Sequence, residues 1–215
     1  MIRHGESVAN LEHCFAGQTD SKLTALGITQ AQAIRGALAG IPFDKVYSSD
    51  LSRAHDTQKN ALPGYEAELT PLLREFDVGS WSGKPIADAA AYAKEKGYVN
   101  YADFGGETRA MVSERVREFF DRLEADPKDY VAAFSHGGFV NCAVNYILGV
   151  NLESGKLSIS NCSIQVFEYQ NGKWSLLALN YMRPVYDPTE PRRGREFPTN
   201  HFNNTKIFGF NSFGD

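Results

Sequence analysis

Apolar residues recur along the chain at two spacings, one typical of α-helices and the other of β-strands. Helical spacing predicts helices over residues 25–38, about 51–62, 85–96, 107–124 and about 139–148. The helix over 107–124 is the clearest amphipathic segment. Its predicted apolar face consists of Met111, Val112, Val116, Phe119, Phe120 and Leu123. Short apolar runs predict strands over 45–48 and 130–135, and residues 67–73 are predicted to be extended.

A β-hairpin is predicted close to the carboxyl end of the patterned region. Two alternating runs, 163–169 and 173–179, flank Asn171-Gly172, which is the strongest short signal for a tight hairpin turn. Strands that alternate with helices predict an α/β layer fold with a mostly parallel sheet. The hairpin then adds antiparallel strands at the edge of that sheet.

Composition and charge narrow the class of partner. The chain has 215 residues, of which 42% are hydrophobic and 22% charged, with a net charge of −4. A chain with no excess of positive charge is not expected to bind nucleic acid or an anionic membrane. No apolar run reaches the roughly 18 residues of a membrane-spanning helix. Cys14, Cys142 and Cys162 are far apart and form no Cys-x-x-Cys, which indicates reduced thiols in a cytoplasmic protein.

Two histidines each follow a short β segment: His4 in Arg3-His4-Gly5 and His136 in Ser135-His136-Gly137. The carboxyl ends of parallel strands meet at one edge of a sheet, so both rings are expected at one site. His136 also precedes a helix, whose N-terminal N–H groups favour an anion. Arg3 and Arg53 would complete a ring of positive charge around a phosphoryl group. His4 is then the expected nucleophile.

Two further expectations concern Glu75 and the start of the chain. Glu75 is a candidate to protonate the leaving oxygen, although a carboxylate after a strand is commonly just solvated. Only two residues precede Arg3, whereas a strand usually takes about five. We expect either that a few upstream residues are missing or that the first strand is unusually short.

The four motif blocks of this chain resemble those of the histidine phosphatase superfamily, in the branch of cofactor-dependent phosphoglycerate mutases and related phosphatases. The first block, Arg3-His4-Gly5-Glu6-Ser7 with Asn10, is similar to the signature of that family. The remaining similar segments are Ser48 to Ala54, Leu73-Arg74-Glu75 with Gly79-x-Trp81-x-Gly83, Gly105 to Thr108, and Ser135 to Gly138. The resemblance implies a three-layer α/β/α sandwich over 1–180, with 80–108 as a substrate cap and 181–215 as an extension that packs on the domain.

The resemblance also implies roles for single residues. It makes His4 the phosphorylated nucleophile, Glu75 the general acid, and Arg3, Arg53 and His136 the phosphate pocket. It assigns further substrate or phosphate contacts to Asn10, Gly17, Gln18, Glu107 and the backbone of Gly137. It implies catalysis without a metal, and no cofactor is expected.

The resemblance leaves the reaction open between a phosphatase, a mutase and a non-catalytic phosphate-binding or scaffold protein. The mutases of the family carry an arginine pair in the segment before the long helix, whereas residues 84–106 here contain no arginine. This difference favours a phosphatase acting on a small phosphorylated molecule. Tyr92, Tyr98, Tyr101 and Phe104 are expected to make its pocket aromatic. A homodimer stays an open alternative. The Arg192-Arg193-Gly194-Arg195 run is either solvated, as is usual for such runs, or grips an acidic substrate.

Overall fold

A mixed β-sheet forms the centre of the computed structural model, which describes residues 1–97, 99–151 and 157–182. Its strands are β1 (Ile2–Arg3), β2 (Lys45–Ser49), β3 (Glu68–Thr70), β4 (Val131–Ser135), β5 (Ile164–Gln170) and β6 (Lys173–Tyr181). They lie in the order β3-β2-β4-β1-β5-β6. The first four of that order are parallel, whereas β5 and β6 form an antiparallel hairpin at the edge. The predicted fold class, including the edge hairpin, is confirmed.

Helices cover both faces of this sheet. They are α1 (Val8–Leu11), α2 (Ala25–Ala33), α3 (Arg35–Leu38), α4 (Ser52–Ala61), α5 (Ile86–Lys96), α6 (Arg109–Ala125) and α7 (Gly137–Leu148). Short 3-10 turns lie at Pro71–Leu73, Gly79–Trp81 and Tyr101–Phe104. Threonine side chains cap two of the helices, because Thr24 accepts from the Gly27 N–H and Thr108 from the Met111 N–H.

Alternating positions of the strands divide the part of the core that packs against the sheet into two clusters. Val46 and Ala132 pack with side chains of α2, α3 and α4, whereas their neighbours Tyr47 and Ala133 pack with α6 and α7. This division follows from the two-residue period of a strand, which points successive side chains to opposite faces. The result is a helix layer, a sheet and a second helix layer.

Three details differ from the sequence prediction. The helix predicted over 25–38 is broken at Ile34, whose carbonyl accepts from both Ala37 and Leu38. The extended segment predicted over 67–73 contains a strand only at Glu68–Thr70, because Pro71 starts a 3-10 turn capped by the Thr70 side chain. Helical spacing predicts Met111 on the buried face of α6, but this residue is 52% exposed.

Some predictions fall outside the described residues. These are the pocket role of Tyr98 and, within the predicted extension, everything from residue 183 onward, including the Arg192-Arg193-Gly194-Arg195 run. In the part of the chain that the structure describes, no helix has the length and apolar character needed to cross a membrane.

Candidate active site

The two histidines meet because β1 and β4 are neighbouring parallel strands that end together. Arg3 lies opposite Ser135 in the sheet, so the next residues, His4 and His136, leave the same edge. Their ring centroids are 5.1 Å apart. The adjacent strand β2 ends at Ser49, and α4, which carries Arg53, begins just after it. The sheet therefore gathers the predicted centre at its carboxyl edge.

The His4 ring is held in one tautomer. Its Nδ1 lies 2.6 Å from the Gly5 carbonyl, which can only accept, so Nδ1 carries the proton. The ring is 4% exposed. Burial and the nearby charges of Arg3 and Arg53 lower the pKa of His4 well below its usual value. The imidazole is therefore neutral at pH 7 and has its lone pair on Nε2, and His4 is one of the residues that line the pocket.

Gly5 is required by close packing beside this ring. A Cβ at Gly5 would lie 2.4 Å from the Gly27 carbonyl oxygen, where no side chain fits. The Gly5 N–H donates to Thr57 Oγ1 at 2.9 Å, and that hydroxyl donates to the Arg53 carbonyl at 2.6 Å. This contact links the loop after β1 to the helix that carries Arg53.

Arg53 is buried without a carboxylate partner among the described residues. It is 1% exposed, and its guanidinium donates to the carbonyls of Gly17 at 2.6 Å and Thr19 at 3.0 Å. Its Nε donates to His136 Nδ1 at 3.2 Å. Burial lowers the pKa of Arg53, yet arginine stays charged at physiological pH. A buried cation held only by neutral acceptors is suited to receive an anion.

Arg3 is a second such cation. One terminal nitrogen donates to the Ile159 carbonyl. Its Nε is buried and has no hydrogen-bond partner in the described part of the chain. The guanidinium lies over Gly137, where an added Cβ would be 3.3 Å from Nε. Burial lowers the pKa of Arg3 as well.

His136 lies behind the pocket and does not line it. The ring is 0% exposed. Because Arg53 donates to Nδ1, Nε2 carries the proton and donates to Ser49 Oγ at 2.9 Å. Burial, together with Arg53, lowers the pKa of His136 well below its usual value. In this structure the ring orients Arg53, and neither of its nitrogens is free.

The Glu75 carboxylate occupies the N-terminus of α7, where the sequence led us to expect phosphate. Its Oε2 accepts from the Gly138 N–H at 3.0 Å and its Oε1 from the Phe76 N–H at 2.9 Å. Arg115 fixes the surrounding loop by donating to the carbonyls of Leu72, Arg74 and Glu75. The carboxylate therefore reaches the pocket in a defined position.

Two of the predicted binding residues are engaged in this loop. The Glu107 carboxylate accepts from Arg115 at 2.9 and 2.8 Å and from the Asp77 N–H at 2.8 Å. Burial acts to raise the pKa of Glu107, but the hydrogen bonds from Arg115 and Asp77 hold it below its usual range. Gln18 donates to the Glu75 carbonyl and to Glu107, and does not line the pocket. Both support the Glu75 loop, and Glu107 also lines the pocket, as predicted.

The other predicted contacts lie at the walls. The Asn10 side-chain oxygen accepts from Ser7 and from Asn161, which leaves its NH₂ group to donate. Asn10 and Gly17 line the pocket, and the Gly17 carbonyl accepts from Arg53. Gly137 lines an adjoining second cavity.

The pocket has a volume of about 390 Å³, a size suited to a small molecule. Of the predicted aromatic residues, Tyr101 lines it, and burial raises the pKa of this phenol. Tyr92 and Phe104 instead pack against Trp81, with ring centroids 5.9 and 5.4 Å away. Their apolar rings stabilise the segment beside the pocket. Among the described residues, no group of three or more His, Cys, Asp or Glu is placed to hold a metal ion.

Arg109 is a pocket residue that sequence reasoning did not identify. It is the first residue of α6 and donates to Asn141 Oδ1 from both terminal nitrogens, at 3.4 and 3.2 Å. An arginine near the start of an amphipathic helix is usually solvated, so its position in the sequence gives no signal of this role.

Comparison with known proteins places these features in a family. The sequence profile of the histidine phosphatase superfamily (branch 1) matches residues 1–182. A probable phosphoglycerate mutase GpmB of Yersinia enterocolitica is 29% identical over 184 residues, covering 81% of this chain and 86% of that protein. The adenosylcobalamin/alpha-ribazole phosphatase of Escherichia coli K12 is 29% identical over 189 residues, covering 84% and 89%.

Solved structures of phosphatases are also similar to this chain. The mycobacterial glucosyl-3-phosphoglycerate phosphatase complexed with VO3 has a TM-score of 0.74 at 27% identity, covering 84% of this chain and 96% of that one. The phosphoserine phosphatase of Entamoeba histolytica in complex with 3-phosphoglyceric acid has a TM-score of 0.72 at 26% identity, covering 85% and 95%. The predicted family resemblance is thereby confirmed.

Proposed function

The chain belongs to the histidine phosphatase superfamily (branch 1), and from this premise we propose that it hydrolyses a small organic phosphomonoester through a phosphohistidine at His4. The observation that carries the proposal is the neutral His4 ring beside Arg3 and Arg53. Neutral imidazole is a nucleophile, and two cations that have no carboxylate partner in the described part of the chain supply the charge that phosphate requires.

In the first step, the lone pair of His4 Nε2 attacks phosphorus. A P–N bond forms while the ester P–O bond breaks, and the Glu75 carboxyl group gives its proton to the departing oxygen. Arg3 and Arg53 stabilise the negative charge on the non-bridging phosphoryl oxygens. The hydrogen bond from Nδ1 to the Gly5 carbonyl disperses the positive charge that develops on the ring.

In the second step, water attacks the phosphohistidine. Glu75, now a carboxylate, takes a proton from that water as its oxygen bonds to phosphorus. The P–N bond breaks, its electron pair returns to Nε2, and inorganic phosphate leaves. All of these roles belong to side chains of this protein, and no metal is required in either step.

Relatives support hydrolysis, since the proteins compared above include an alpha-ribazole phosphatase, a glucosyl-3-phosphoglycerate phosphatase and a phosphoserine phosphatase. A phosphoglycerate mutase is the second candidate, favoured by the similarity to a probable GpmB. The two reactions share the phosphohistidine and differ in whether water or a substrate hydroxyl takes the phosphoryl group.

The decisive test is phosphate release from p-nitrophenyl phosphate, sugar phosphates, nucleotides and 3-phosphoglycerate, with EDTA present. We expect turnover by the wild type and its loss in His4→Ala, because the nucleophile is gone. His55→Ala is the matched control, since His55 lies on α4 and does not line the pocket.

Three outcomes would contradict the proposal. Activity of His4→Ala above about a tenth of the wild-type rate would rule out His4 as the nucleophile, because enzymes accelerate reactions by several orders of magnitude and loss of the nucleophile should cost most of that. Interconversion of phosphoglycerates without phosphate release would establish the mutase. No measurable turnover of any of these substrates by the wild type would favour a phosphate-binding or scaffold protein.

A further inference from the structure

A second cavity of about 330 Å³ adjoins the pocket. The two share Arg3, Glu75 and Arg109 in their walls. Because Glu75 is the proposed acid for the leaving oxygen, this cavity lies on the side where the mechanism above puts the leaving group. The second cavity is also lined by Gly137, Asn141 and residues 157–159. The mechanism proposed above gives Arg109 and Asn141 no role.

Arg109 differs from the other arginines of α6. Arg115 pairs with Glu107, Arg117 with Glu114 and Asp121, and Arg122 with Glu68. Arg109 has no carboxylate partner within the described ranges and is held by neutral acceptors. These are Asn141 Oδ1 at 3.4 and 3.2 Å and Cys142 Sγ at 3.7 Å. No carboxylate of the described residues therefore neutralises its positive charge.

Asn141 fixes the direction of this guanidinium. The Asn141 side chain is 8% exposed, and its Nδ2 donates to the Leu157 carbonyl at 3.2 Å. That bond turns Oδ1 toward Arg109, where it also accepts from Asn145 Nδ2 at 2.9 Å. The fork of Arg109 is thus oriented before any ligand arrives, which reduces the ordering cost of binding.

We propose that Arg109, oriented by Asn141, binds a second anionic group of the substrate, a carboxylate or a second phosphate. This inference rests on the proposed function and narrows its substrate class to phosphomonoesters that carry another negative charge on the leaving group. A guanidinium group binds a carboxylate and a phosphate alike, through paired N–H donors. The test below therefore distinguishes which of the two anions the substrate carries.

The kinetic test uses substrate pairs that differ mainly in the second group. 3-Phosphoglycerate with glycerol 3-phosphate, and phosphoserine with phosphoethanolamine, test the carboxylate. Glucose 1,6-bisphosphate with glucose 6-phosphate tests the second phosphate. We expect the wild type to prefer the anionic member of at least one pair. Arg109→Gln should lower that kcat/KM ratio on the order of ten- to a hundredfold, as for loss of charge-assisted hydrogen bonds.

Two further variants sharpen the test. Arg109→Lys keeps the charge but loses the fork, so it should restore part of the preference. Arg117→Gln removes a cation from an exposed part of the same helix and should leave the ratio at its wild-type value. Equal losses for both members of every pair in Arg109→Gln would overturn the inference, as would a wild type with no preference in any pair.

Binding separates this inference from the proposed function. Calorimetry with His4→Ala, which should not turn over, measures affinity for the same pairs with and without Arg109→Gln. Tighter binding of the anionic member that disappears with Arg109→Gln supports the anion subsite, even when the wild type releases no phosphate. Equal affinities for both members of all pairs would overturn the subsite independently of catalysis.

Discussion

Replacing Gly138 with alanine tests how Glu75 is held against the N-terminus of α7. An alanine Cβ would lie 2.2 Å from Glu75 Oε1 and 2.6 Å from a ring carbon of Phe76, whereas ordinary contacts begin at 3.4 Å. The carboxylate must therefore retreat by more than 1 Å or leave the site. Its 3.0 Å hydrogen bond from the Gly138 N–H is then strained or lost.

The magnitude follows from the role proposed for Glu75. General acid catalysis contributes about 10²- to 10⁴-fold, and a misplacement of about 1 Å costs about 10²-fold. We therefore expect kcat/KM for an alkyl phosphate to fall by about 10²-fold, or about 2.7 kcal/mol of transition-state stabilisation. Helix propensity alone favours alanine over glycine by about 1 kcal/mol, so the variant is not expected to unfold.

The assay compares leaving groups through kcat/KM, which reports the steps up to phosphorylation of His4. p-Nitrophenolate leaves without a proton, whereas an alkoxide needs one, so the loss for p-nitrophenyl phosphate should be much smaller than for an alkyl phosphate. Gly64→Ala is the control, because its added Cβ would have no atom of the described residues within 4 Å, apart from its own chain neighbours. Thermal unfolding of both variants checks that the folded protein is being assayed.

A double-mutant cycle with Glu75→Gln decides whether the effect runs through Glu75. If it does, Gly138→Ala should add little in the Glu75→Gln background, because the two changes disable one function. A wild-type kcat/KM of Gly138→Ala for the alkyl phosphate would show that the added methyl group does not disturb the acid role of Glu75. So would an equal added loss in the Glu75→Gln background.

Two further predictions concern Arg53 and pH. Arg53→Gln should lower kcat/KM by about 10²- to 10³-fold and weaken inhibition by inorganic phosphate. Arg117→Gln is the control. An inhibition constant for phosphate that Arg53→Gln leaves unchanged would contradict the role of Arg53 in phosphate binding. The lowered pKa values of His4 and His136 make the unfolded state bind more protons below about pH 6.5, so stability should fall as pH falls, by about 1.4 kcal/mol per unit for each ring. Urea unfolding between about pH 5 and 7 checks this prediction, and a flat profile would disprove it.

The meeting of the two histidines was predictable because it depends on local pattern and one topological rule. His4 and His136 each follow a strand, and parallel strands end at the same edge. The two-residue strand β1 carried no hydrophobic pattern of its own, and its position came from Arg3-His4-Gly5 and the family resemblance. The close packing of Gly5 depends on Gly27, which lies on a different element, and nothing in the sequence indicates that contact.

The anion at the N-terminus of α7 shows where sequence reasoning fails. A helix that begins after His136 predicts an anion site, and phosphate was the expected occupant. The structure places the Glu75 carboxylate there, because the loop after β3 brings it to the Gly138 N–H. The preference of a helix N-terminus for an anion correctly predicted the charge at this position. It does not determine whether that charge belongs to a ligand or to a side chain 63 positions away in the sequence.

The arginines of the site also differ in a way that the sequence does not show, namely in whether a carboxylate pairs with them. Arg74 pairs with Asp50 and Arg115 with Glu107, so both serve to hold the Glu75 loop. Arg3, Arg53 and Arg109 contact only neutral groups in the described structure. A buried charge without a counter-ion destabilises the empty protein, and an anionic ligand relieves that cost when it binds. Whether an arginine receives a ligand or supports a loop is therefore decided by whether a carboxylate already neutralises it, which only the folded chain determines.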